Sequence, residues 1–96
     1  MTPSDIKKKA VPFLKKRDAT FVGLFGSHAR RSARASSDVD LLVRFGSGKT
    51  FIELVQIERE LSIKLNRKVD LVTEGALSPY IKNQVMNDLV LLYGRR

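Results

Sequence analysis

The chain has 96 residues, 43% of them hydrophobic, which is enough for one small domain with one core. Its zero cysteines exclude a disulfide framework and a thiolate zinc site, so a metal would have to sit on oxygen ligands or on the single histidine, His28. Lys and Arg outnumber Asp and Glu by 18 to 10, a formal charge of +8 that favours anionic partners without choosing among nucleotides, nucleic acid and an acidic protein face.

No apolar run approaches the roughly 20 residues that span a bilayer, so a soluble, cytoplasmic single domain over residues 1–96 is expected, with no membrane partner. Thr2-Pro3-Ser4-Asp5 reads as a helix start, with Thr2 as cap and Pro3 in the first turn. Ile6, Ala10, Phe13 and Leu14 continue at helical spacing, and Pro12 predicts a kink or an irregular turn. Residues 20–25 form a short β-prone run ending at Gly26. Residues 28–34 are expected to make two helical turns before Ala35-Ser36-Ser37 loosens the chain.

Residues 38–45 are the clearest strand, closed by Gly46-Ser47-Gly48. Thr50 and Glu53 form a capping-box pattern, opening a helix with Phe51, Leu54, Ile57, Leu61 and Leu65 on one side and Asn66 as its stop. Residues 69–72 are a third strand, and Ser78-Pro79 starts a last helix that buries Ile81, Val85 and Leu89. Residues 90–93 fit either a continuation of that helix or an edge strand. The order predicts an α/β (α+β) fold, a small sheet covered by helices.

Asp38 and Asp40 stand two apart on a strand, so both carboxylates face one side while Val39, Leu41 and Val43 enter the core from the other. Two like charges held close raise each other's pKa unless a cation neutralises them, and oxygen-only ligation suits Mg²⁺ or Mn²⁺. A solvated strand end, with Asp38 capping the Ser36-Ser37 turn, is the plain alternative. Gly26-Ser27 lies where a strand passes into a helix, and backbone N–H groups at such a start bind phosphate oxygens. Arg30 and Arg34 would project from a common side of that helix, near the anion; an exposed basic helix is their alternative. Asp70, between Val69 and Leu71, would complete the metal site and polarise an attacking hydroxyl if its strand lies beside the Asp38–Asp40 strand; otherwise it is an edge-strand charge facing water.

Gly26-Ser27, ten intervening residues, then Asp38-x-Asp40 resembles the signature of the polymerase-beta-type nucleotidyltransferase superfamily. The stretch 25–43, Arg67-Lys68-Val69-Asp70-Leu71-Val72 and Leu77-Ser78-Pro79-Tyr80 resemble its minimal antitoxin branch, the MNT proteins paired with HEPN toxins. The resemblance implies a mixed sheet flanked by helices, two Mg²⁺ ions on Asp38 and Asp40, a further carboxylate from Asp70 and triphosphate contacts from Gly26 and Ser27. It also implies ATP as donor and a tyrosine of a HEPN partner as acceptor. Arg31 departs from the pattern, since a small or glycine residue commonly follows the arginine that Arg30 matches.

Gly46-Ser47-Gly48-Lys49-Thr50 imitates the end of a P-loop, but Val43 stands where the first glycine is required. His28, without a second histidine, reads as a local residue rather than a metal ligand. With no second domain to shape an acceptor pocket, a separate protein or a second copy of the chain should complete the site. Two rival readings are an antitoxin that neutralises a toxin by contact alone and a nucleic-acid-end transferase or basic binder. Retention of three acids opposes the first. The second lacks an aromatic stacking pattern, its five Phe and two Tyr being expected largely in the core.

Overall fold

The computed structural model describes residues 1–34 and 37–95. Ala35, Ser36 and Arg96 lie outside the described residues, and with them part of the break expected at 35–37 and the Ser36 half of the turn that Asp38 would cap. Four strands form one mixed sheet in the order β3-β2-β1-β4, built from β1 (Ala19–Phe25), β2 (Val39–Phe45), β3 (Val69–Val72) and β4 (Val90–Gly94). β1 runs antiparallel to β2 and β4, and β2 runs parallel to β3. The helices are α1 (Pro3–Lys15), α2 (Gly26–Ala29), α3 (Phe51–Leu65) and α4 (Pro79–Asp88).

The two-residue period of the strands separates two faces. On one, Val22, Leu24, Val39, Leu41, Val43 and Val69 pack with Ile6, Ala10 and Leu14 of α1 and Ile57, Leu61 and Leu65 of α3. On the other, Phe21 and Leu42 pack with Leu89, Leu77 and Met86 around α4. Gly23 makes this second contact possible, because a Cβ there would stand 2.5 Å from Leu89 Cδ1. Asp40 and Asp70 belong to this second face, since they alternate with the buried Leu41 and with Val69.

Local chemistry accounts for the helix ends. Thr2 and Asp5 close a capping box on α1, Thr50 and Glu53 close one on α3, and Ser78 accepts from the Tyr80 N–H ahead of Pro79 in α4. Asn66 ends α3 in the left-handed region at φ 52°.

Four expectations are corrected. Helix α1 continues through Pro12 to Lys15 without the irregular turn that Pro12 could have imposed, and Pro12 is on the exposed side. Helix α2 ends at Ala29 instead of running to Arg34, because Arg31 adopts φ 59° and turns the chain out of the helix. The apolar sides of α3 and α4 are shorter than their periodicity: Phe51 is 80% exposed and Ile81 49%, and full burial begins at Ile57 and Val85. Neither first turn reaches the packed face, so helical spacing overstates the buried stripe. Tyr80 is likewise exposed, so the aromatic residues are less uniformly internal than expected.

Residues 90–94 resolve as an edge strand. Leu89 has extended backbone, and the open edge of β1 supplies hydrogen-bond partners that a longer α4 would have left unused.

Candidate active site

The site lies at one end of the sheet, where β1 passes into α2 and β2 begins. Asp40 faces Asp70 in parallel register and Phe25 in antiparallel register, so the strand order brings together acids 30 positions apart in the chain. Sequence reasoning made this adjacency conditional on strand order, and the condition is met. Asp38 precedes β2 and stands 3.8 Å from Lys68 Nζ, a weak, exposed pair.

Gly26 closes the site from the other side. Its φ is +74°, a region that side chains rarely adopt, and a Cβ there would collide with a carboxylate oxygen of Asp40. Glycine is therefore required twice, by conformation and by space. No side chain caps the N-terminus of α2, so no side chain occupies the first N–H groups of the turn carrying Ser27.

Burial pushes the pKa of Asp40 up, and the neighbouring Asp70 and Asp38 charges raise it further; His28 and Arg30 pull it partly back. A half-buried carboxyl held beside two others is a donor short of a cation, which is the chemistry that Mg²⁺ or Mn²⁺ satisfies. Among the described residues no group of three or more acidic or histidine side chains is closed tightly enough to hold a metal unaided. Mg²⁺ is commonly held by one or two carboxylates together with substrate phosphates, and the Asp40–Asp70 pair fits that mode.

The arginines separate. Arg30 stands beside the site and its Nη1 donates to Asp88 Oδ2 at 2.5 Å, which ties α2 to the end of α4. Arg34 lies beyond the left-handed Arg31, so the expected common helical side does not exist; its main chain exchanges bonds with Ser37 instead. Two residues at this end were not singled out from the sequence as site residues. Asp88 is 58 positions from Arg30 and no local pattern connects them. His28 is buried, with Nε2 3.3 Å from the Ser37 carbonyl oxygen; its place directly after Gly26-Ser27 was the signal available.

Residues 8–96 match the family described as "Polymerase beta, Nucleotidyltransferase". A Methanocaldococcus jannaschii protein described as a candidate protein adenylyltransferase is 37% identical over 90 residues, covering 94% of this chain and 97% of its own. The fold matches a chain of a toxin–antitoxin crystal structure with AMP-PNP at a TM-score of 0.84, 24% identity, and coverage of 94% of this chain and 74% of that one. It also matches one chain of a structure of tri-AMPylated Shewanella oneidensis HEPN toxin in complex with MNT antitoxin, at a TM-score of 0.77, 22% identity, and coverage of 96% of this chain and 72% of that one. The chain belongs to the polymerase-beta nucleotidyltransferase family. It is an enzyme of the nucleotidyl-transferring class with a small mixed α/β fold.

Proposed function

We propose that this chain is a metal-dependent protein adenylyltransferase that moves AMP from ATP to a tyrosine hydroxyl of a HEPN-type toxin, and so acts as an antitoxin. The observation that carries the reading is the register of Asp40 with Asp70, with Gly26 shaped around the Asp40 carboxylate. The candidate adenylyltransferase relative and the two toxin–antitoxin neighbours support the donor and the acceptor class.

In this reading Asp40 and Asp70, joined by Asp38 when substrate phosphates complete the coordination, would hold Mg²⁺ or Mn²⁺, which would supply Lewis-acid stabilisation of phosphate charge. Gly26 and Ser27 bind the β- and γ-phosphates through N–H groups and a hydroxyl. Arg30 adds a charge-assisted contact after exchanging its bond with Asp88. Arg34 supplies an outer phosphate contact from the loop that follows α2. Asp70, at the exposed edge of the pair, accepts the proton of the acceptor hydroxyl. The hydroxyl oxygen bonds to the α-phosphorus, the bond to the β-phosphate oxygen breaks, and pyrophosphate leaves.

The experiment is incubation of the protein with α-labelled ATP and Mg²⁺, with and without a HEPN-type partner, followed by identification of the labelled species. Label on a tyrosine of the partner, lost in EDTA, is expected. Partner neutralisation with no transfer of label would make the chain a contact antitoxin, and label on a nucleic-acid end would make it an end transferase.

A further inference from the structure

His28 is the one polar side chain buried among the described residues, at 4% exposure, and nothing in the proposed chemistry uses it. Its Nε2 lies 3.3 Å from the Ser37 carbonyl oxygen. A carbonyl can only accept, so Nε2 carries the hydrogen and, in the neutral ring, Nδ1 is left as an acceptor. Nδ1 is buried with no protein partner. An orphaned buried acceptor costs stability, so a ring kept only to fill space would be better replaced by an apolar side chain of similar size.

What the ring connects is more informative than what it fills. His28 sits on α2, one residue after Ser27, and its bond lands on Ser37, one residue before Asp38. Ser37 is already clamped to Arg34: the Arg34 N–H donates to Ser37 Oγ at 2.8 Å and the Ser37 N–H donates to the Arg34 carbonyl at 3.0 Å. The next fixed point is the Val39 N–H, which donates to the Lys68 carbonyl at 2.9 Å on the β3 side. The His28 bond joins this segment to the turn that carries Gly26 and Ser27.

We infer that His28 is a positioning residue that sets the spacing between the phosphate-binding turn and the carboxylates of Asp38 and Asp40. The inference rests on the nucleotidyltransferase reading of those two halves. Loss of the bond frees the approach to β2 without removing a group that touches substrate. The turn still binds triphosphate, while the carboxylates sample positions in which the reacting atoms are misaligned, an error that costs about 10²-fold in rate for about 1 Å.

The test compares His28→Leu, which fills the space without a donor, with His28→Gln, which restores an N–H donor at about the reach of Nε2. Two readouts are taken: α-labelled AMP transfer to a HEPN-type partner, and amide hydrogen exchange in the free protein. His28→Leu is expected to lower kcat by about tenfold or more with KM for ATP changed less than about twofold. Exchange at Asp38, Val39 and Asp40 should rise while Val22 and Leu42 in the core stay protected, and His28→Gln should return both readouts toward wild type.

Wild-type exchange at 38–40 in His28→Leu would overturn the inference whatever the activity. So would equal defects in both variants, or a rise in exchange spread over the whole sheet. If wild-type protein transfers no label while exchange responds as expected, the catalytic reading fails and the His28 bond stands as the tie between the two segments.

Discussion

Two turns in this chain pair glycine with serine, follow neighbouring antiparallel strands and lead into a helix, and their surroundings are opposite. At the β1–α2 turn, Gly26 has φ +74°, lies against the Asp40 carboxylate and opens a four-residue helix with no side-chain cap. At the β2–α3 turn, Gly48 has nothing within 4 Å of where a Cβ would stand, and α3 is closed by its own Thr50–Glu53 capping box. The second turn looks more like a phosphate loop in sequence. Its helix N–H groups are already partly satisfied from within; of its two glycines Gly48 is spatially unconstrained, and Gly46, where a Cβ would stand 3.0 Å from Asp18 Oδ1, is crowded by Asp18 and not by a site carboxylate.

A cleft of about 310 Å³ does lie at that end, lined in part by Arg44, Lys49 and Glu74. Its charges are committed: Arg44 pairs with Glu74 at 2.6 Å, and Lys49 stands over the Phe45 ring. Ser47 donates to Asp18 at 2.8 Å. In the proposed reading a glycine-serine turn becomes an anion site through the groups left unsatisfied around it, which is why the phosphates are assigned to the turn at the carboxylate end.

The largest expected break in this comparison is Asp40→Asn. Metal-assisted charge stabilisation is worth several kcal/mol, so transfer should fall by on the order of 10³-fold under saturating Mg²⁺. Stability should move the other way. The pKa of Asp40 is raised in the folded state, so the native protein binds its proton more tightly than the unfolded chain does, and wild-type stability declines as pH rises from the ordinary carboxylate value through the raised one. Asn removes that decline. Melting curves without metal should coincide for the two proteins below this window and favour Asp40→Asn above it; a variant that merely unfolds at neutral pH would remove Asp40 from the site.

Gly26→Ala against Gly48→Ala sharpens the contrast between the turns. The first places a side chain in the left-handed region and against the Asp40 carboxylate, with an expected loss of about 1–3 kcal/mol and a loss of transfer. The second should stay within about 0.5 kcal/mol with activity intact. Chemical denaturation of both variants, run beside the labelling assay, reads the difference; equal effects would mean that Gly26 is only a turn residue.

Arg30→Ala should weaken kcat/KM for ATP by roughly 10–100-fold, the equivalent of a charge-assisted hydrogen bond of about 1.5–3 kcal/mol, with partner binding unchanged. It also releases Asp88, so Asp88→Asn is the matching control. That variant frees Arg30 and should leave ATP dependence near wild type, as ATP titrations of both would reveal.

How much of this was legible in the sequence follows the range of each interaction. Both caps of α3, the Ser78-Pro79 start of α4 and the bounds of β3 depend on residues within a few positions of one another, and all were legible. The length of α2 was not, because the left-handed Arg31 carries no glycine or asparagine to announce it. Phe51 and Ile81 were misplaced because periodicity gives the direction of a side chain and not whether a surface waits there. The Asp40–Asp70 register required strand order, and the Arg30–Asp88 pair required α4 to fold back across the sheet. The candidate site was legible in its residue types and their spacing, and illegible wherever two distant elements had to meet.

The smallest expected effect is also the cleanest separation of the two turns. Ser27 and Ser47 each follow the glycine that ends a strand, and alanine removes one hydroxyl from either. The Ser47 hydroxyl is engaged inside the protein, donating to Asp18, a residue held at φ 72° whose carbonyl also accepts from the Gly46 N–H at 2.8 Å. Ser47→Ala should therefore cost up to about 1 kcal/mol of stability and nothing in transfer. Ser27 is tied through its carbonyl, which accepts from the Ser32 N–H at 3.0 Å and survives the substitution. Ser27→Ala should leave the melting temperature unchanged and reduce ATP-dependent transfer by about fivefold, the loss of one hydrogen bond of about 1 kcal/mol, or more if the hydroxyl meets phosphate charge in the transition state. Denaturation midpoints and transfer rates measured on both variants should thus move in opposite columns. A Ser47→Ala protein that keeps its stability and loses transfer would shift the phosphate site to the β2–α3 turn.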